Sequence, residues 1–125
     1  MKKLIALVFA LVASAGFAAE FPDISIADLK QAIADKKVTV IDVNGAASYK
    51  AGHVPTAIDF ATQGSSLASA LPSDKGALVV AYCGGPACSA YKAAANAASQ
   101  LGYTNVKHLS AGISGWKAAK EPLEK

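Results

Sequence analysis

Arginine is missing from all 125 residues, and the twelve basic side chains are all lysine. Without a guanidinium there is no planar, bidentate grip on phosphate or carboxylate, so arginine-based recognition of either group is excluded. Cysteine is scarce: the chain has two, both in one stretch, Ala81 to Ala90, written AYCGGPACSA. The spacing C-x4-C is not the C-x-x-C of dithiol oxidoreductases. Cys83, Cys88, His53 and His108 are ligand types for zinc but lack its short paired spacings, so no metal is expected. An excess of one charge is also absent. Beyond the first 18 residues ten lysines face nine acidic groups, which leaves no basic patch for nucleic acid and no acidic tail. Internal repeats, low-complexity tracts and linkers are missing too.

The N-terminus carries a compartment signal. Lys2 and Lys3 precede the apolar run Leu4 to Val12, and Ala13 to Ala19 is all small apart from Phe17. The run is too short to span a bilayer, and the order of the three parts is that of a secretory signal peptide. Cleavage after Ala18 puts Gly16 and Ala18 at the small-residue positions. The expected organisation is therefore a signal peptide over residues 1–18 and one domain over 19–125, periplasmic or secreted, with no membrane attachment after cleavage.

The rest of the chain alternates helix and strand signals. Ile26, Leu29 and Ile33 fall at helical spacing after Ser25, a capping residue, and predict a helix over 26–35. The β-branched run 38–43 predicts a strand buried on both faces. A short helix over 46–51, a short strand over 57–61 and a helix over 65–71 follow. A second buried strand, 76–82, runs straight into the cysteines. An alanine-rich helix over 89–101, a strand over 106–109 and a helix over 113–119 complete the pattern. This order predicts an α/β domain, with a mostly parallel sheet of about five strands and helices on both faces. Ligands of such sheets bind at the carboxyl ends of the strands, where Cys83 falls.

Between strand and helix, Gly84 and Gly85 are free to take positive φ, so the loop from Gly84 through Pro86, Ala87 and Cys88 to Ser89 is expected to turn its backbone N–H groups into one bowl. The following helix start adds partial positive charge. A thiolate on Cys83 is stabilised there relative to the thiol, which makes Cys83 the candidate nucleophile. Asp42 ends a buried strand near this loop, with a structural role expected. Trp116 is expected to pack the last helix on the sheet.

Val40-Ile41-Asp42-Val43, Tyr49-Lys50-Ala51-Gly52-His53-Val54-Pro55-Thr56-Ala57, the Tyr82-Cys83 loop, and Gly102 to Val106 with Gly112-Ile113-Ser114-Gly115-Trp116 together resemble the signatures of the single-domain rhodanese family. The resemblance implies the rhodanese fold and a sulfurtransferase without cofactor. It implies that Cys83 takes sulfane sulfur from a donor such as thiosulfate or a polysulfide, holds it as a persulfide, and passes it to a thiophilic acceptor such as cyanide or a thiol. Gly84, Gly85, Pro86, Ala87, Cys88 and Ser89 match the cradle, mostly through backbone, and His53 matches a packing residue of the Gly-His-Val-Pro turn. Phosphatases of similar fold have a longer loop ending in arginine, which this chain lacks.

Four positions depart from the family's habit. Asn44 replaces an arginine, Ser48 an acidic residue, Thr56 a glycine, and Cys88 a basic side chain. A less positive rim disfavours the dianion thiosulfate and favours neutral sulfur species, polysulfides or a protein persulfide. Cys88 is a bystander in place of the basic residue, a disulfide partner of Cys83, or a resolving thiol for it. The partners are thus a small sulfur anion or thiol acceptor, and a protein sulfur donor or acceptor. Two other functions stay open: a sulfur-carrier module delivering sulfur to a partner protein, and a dithiol redox protein using Cys83 and Cys88.

Overall fold

Ser25 starts the first helix, as its pattern requires: its backbone is extended and its Oγ accepts from Asp28 N at 3.0 Å. Helix α1 runs Ile26–Ala34 and buries Leu29 completely. The structure is a computed structural model that describes residues 21–125; the expected leader, residues 1–18, lies outside the described residues.

The remaining elements are β1 (Val38–Asp42), α2 (Ala46–Ala51), β2 (Ile58–Asp59), α3 (Phe60–Gln63), a 3₁₀ turn (Gly64–Ser66), α4 (Leu67–Ala70), β3 (Leu78–Tyr82), α5 (Tyr91–Gln100), β4 (Val106–His108) and α6 (Gly112–Ala118). The strands form one parallel sheet in the order β2-β1-β3-β4. Val38 to Asp42 pair residue for residue with Leu78 to Tyr82.

Four strands stand where about five are expected. The outer position beside β4 is held by two backbone hydrogen bonds, His108 N to Pro22 O and Ile24 N to His108 O, around a lone parallel bridge between Asp23 and His108. Pro22 has no N–H to extend the ladder, and α1 begins at Ile26. The expected strand over 57–61 shrinks to Ile58–Asp59 because the Asp59 side chain accepts from Ala61 N and caps α3.

Alternation along β3 divides the core. Val79, Ala81 and Cys83 face Leu67, Leu71, Ala94, Ala95 and Ala98 of the α4–α5 side, whereas Val80 and Tyr82 face Leu29 and Trp116 of the α1–α6 side. Each inner strand is thus covered on both faces, which its apolar run requires. Trp116 packs α6 on the sheet and donates Nε1–H to Pro122 O at 2.7 Å.

Candidate active site

The strand order changes direction between β1 and β3, so the crevice of the sheet opens between their carboxyl ends. Asp42 and Asn44 lie on one side of it and Cys83 on the other. A separate depression lined by Lys36, Lys37, Val38, Ala77 and Leu78 sits at the amino ends of the same strands, away from the cysteine.

Cys83 continues the alternation of β3 and is 1% exposed. Its loop is tied to the first turn of α6: Ile113 N donates to Cys83 O at 2.9 Å, and Ser114 donates to Gly84 O from N at 3.0 Å and from Oγ at 2.7 Å. The two segments touch because Gly112, at φ +63°, has no side chain. A Cβ there would come within 2.5 Å of Gly84 C and Gly85 N. This corrects the expectation for the loop glycines: neither Gly84 nor Gly85 takes positive φ. At Gly85 the missing side chain serves space instead: a Cβ there would lie 3.0 Å from Ser114 Oγ, whereas one on Gly84 would meet nothing nearer than Asn44 Oδ1 at 4.0 Å. The left-handed residue of the site is Gly112, on another element.

The loop turns back at Gly85-Pro86-Ala87-Cys88, closed by Cys88 N donating to Gly85 O at 3.1 Å. Proline at the second position of such a turn has its φ already set. The N–H groups of Gly84, Gly85, Ala87, Ser89 and Ala90 donate to no acceptor among the described residues. Helix α5 begins at Tyr91, two residues later than expected, after turn bonds from Lys92 N to Ser89 O and Ala93 N to Ala90 O. Its N-cap residue, Ala90, makes no side-chain capping bond. Five backbone donors without an acceptor thus lie along the loop between Cys83 and a helix N-terminus, a composition suited to an anionic sulfur.

The turn carries half-buried Cys88 onto Cys83, and the two sulfurs are joined in a disulfide with Cα atoms 6.3 Å apart. As a staple it closes so short a loop that chain entropy accounts for only about 2 kcal/mol. No free cysteine remains among the described residues. In this form the candidate nucleophile, Cys83, is blocked.

Around the loop the polar groups are mostly spent on structure. Asp42 is 1% exposed; it accepts from Asn44 N at 2.7 Å through Oδ1 and from the Tyr82 hydroxyl through Oδ2. Tyr82 Oη in turn accepts from Val54 N at 3.0 Å. Burial first, and the hydrogen bond to Asp42 second, push the Tyr82 hydroxyl far above the usual phenol range, so it stays a donor. Asn44 lies beside Gly84, and its Nδ2 is buried without a partner among the described residues. His53 is structural: its ring stacks on Tyr49 with centroids 3.6 Å apart, and Nδ1 lies 2.8 Å from Tyr49 O.

His108 has a partner that sequence reasoning missed. Its ring stacks on Tyr91, the first residue of α5, with centroids 3.4 Å apart. Burial lowers its pKa, Lys92 adds to the effect, and Asp23 opposes it. The two rings are seventeen positions apart, so no local pattern links them; they meet because α5 packs against β4. The structure keeps His53 and His108 on different elements, and no group of three or more His, Cys, Asp or Glu able to hold a metal occurs among the described residues.

A parallel sheet with helices on both faces, and a cysteine at the end of an inner strand opening a donor-lined loop, define an α/β protein with a cysteine-centred site. The chain belongs to the rhodanese-like family: the model described as Rhodanese-like domain matches residues 25–119. Among solved structures, the BH2092 protein of Bacillus halodurans is 32% identical, with a TM-score of 0.68 over 82% of this chain and 76% of that one. A thiosulfate sulfurtransferase of Pseudomonas aeruginosa is 26% identical, with a TM-score of 0.69 over 85% of this chain and 20% of that one. A human single-domain sulfurtransferase, 22% identical, shares the fold at a TM-score of 0.62 over 82% of this chain and all of that one. No curated protein matches the chain.

Proposed function

We propose that the chain is an exported sulfurtransferase that acts through Cys83 in its reduced form. The Cys83 thiolate attacks the sulfane sulfur of a donor such as thiosulfate; the donor's S–S bond breaks and sulfite leaves with its electron pair. The persulfide on Cys83 then gives its outer sulfur to a thiophilic acceptor, and the thiolate returns. One observation carries this reading: the loop that Cys83 opens offers five unused N–H donors and no side-chain cation. Those donors stabilise a thiolate and a persulfide anion alike.

The neutral rim sets the donor class. With Asn44 beside Gly84 and no arginine in the chain, a singly charged organic thiosulfonate is a better donor than the dianion thiosulfate. The test uses reduced protein with either donor and cyanide as acceptor, following thiocyanate. Turnover is expected in the wild type and none in Cys83→Ser; equal turnover in both rejects the proposal. The disulfide favours a second reading, a dithiol redox protein of the same compartment. Under that reading Cys83→Ser and Cys88→Ser lose activity equally, and neither takes up sulfur.

A further inference from the structure

Resting on the sulfurtransferase reading, we infer that Cys88 is a resolving thiol that releases the sulfur carried by Cys83 as sulfide. Three observations converge on it. The turn Gly85 to Cys88, with Pro86 inside it, folds the backbone so that the Cys88 sulfur meets that of Cys83. The Cα atoms are 6.3 Å apart, within the range two cysteines need to bond without moving the backbone. Cys83 is buried at the end of β3 while Cys88 is half-buried on the loop, so Cys88 is the more accessible of the two cysteines.

The step balances without an added reagent. Cys88 Sγ attacks Cys83 Sγ, the inner sulfur of the persulfide; the Cys83–Cys88 bond forms and the bond to the outer sulfur breaks. The outer sulfur leaves as hydrosulfide with the electron pair and the proton of the Cys88 thiol. The two cysteine sulfurs are oxidised and the sulfane sulfur is reduced. The product on the protein is the disulfide seen in the structure. An external dithiol resets it by exchange, so the protein links a sulfane-sulfur donor to a dithiol reductant and makes sulfide.

The experiment is a single turnover without cyanide or free thiol. Fully reduced full-length chain, freed of reductant under anaerobic conditions, meets one equivalent of thiosulfate or of an organic thiosulfonate. Sulfite or sulfinate, sulfide and intact mass are then measured. The wild type is expected to release one sulfite or sulfinate and one sulfide per chain, ending two hydrogens lighter. Cys88→Ser is expected to release the sulfite or sulfinate, lose sulfide release, and stay heavier by one sulfur atom. Wild type and Cys88→Ser holding the added sulfur equally long overturns the resolving role and leaves the sulfurtransferase reading intact. No sulfite, sulfinate or added sulfur in either protein, with either donor, overturns both.

Discussion

Gly112 decides the shape of the cysteine loop although it lies 29 positions further along the chain. Its left-handed φ and missing Cβ let the loop backbone rest on the first turn of α6. A methyl group there meets backbone atoms, which have no rotamer to yield. Gly112→Ala is expected to cost at least about 2 kcal/mol, from overpacking plus the left-handed penalty, and to lower the rate of sulfur loading on Cys83. Urea denaturation and the sulfite burst check the two effects. Stability unchanged within error would show that the loop yields freely. Cys83 and the span of its loop were legible in the sequence. Gly112 was visible only as part of a family signature, because its contact is with residues distant along the chain. The same holds for Asp42: its place at a strand end was readable, whereas its bond to Tyr82 depends on the β1–β3 register.

At the scale of elements, the turn after His53 carries a local cost. Ala57 N donates to Val54 O at 3.0 Å across Pro55 and Thr56, and Thr56 takes φ +73°. This is a type II turn, whose third position favours glycine. A β-branched side chain there is strained, and the bond from Thr56 N to Glu124 Oε1 at 2.8 Å involves only its backbone. Thr56→Gly is therefore expected to stabilise the protein by about 1 kcal/mol, net of the greater entropy of the unfolded glycine. Thermal unfolding of the variant checks this, and a lower melting temperature would contradict it. Periodicity located most elements well. The helix expected over 89–101 begins later, at Tyr91, because two turn bonds precede it. The helix expected over 65–71 is a 3₁₀ turn followed by α4, with Pro72 ending it.

Across the whole molecule, three separate segments meet at His108: the extended residues Pro22 to Ile24, strand β4 and the start of α5. Its folded-state pKa lies below the ordinary imidazole value of about 6.5, so the unfolded chain binds more protons as the pH falls toward that value. The stability from the neutral ring is fully present above about pH 6.5 and is lost as the pH falls through the folded-state pKa. Urea midpoints are expected to drop between about pH 7.5 and about pH 5.5 in the wild type, and His108→Gln is expected to flatten that slope. An equal slope in the variant would place the proton elsewhere.

The sequence by itself determined the alternation of elements, the two doubly buried strands, the absence of any arginine-based site, and the place of Cys83 at a strand end, where it is the candidate nucleophile. These follow from side-chain period, composition and chain order, which are local properties. Tertiary structure alone decided that the sheet has four strands with a lone bridge beside β4, that Gly112 makes room for the loop, that His108 lies on Tyr91, and which of the readings of Cys88 holds, by joining it to Cys83. Each of these rests on atoms brought together by sheet register or by the closing of a turn, and neither leaves a periodic trace along the chain.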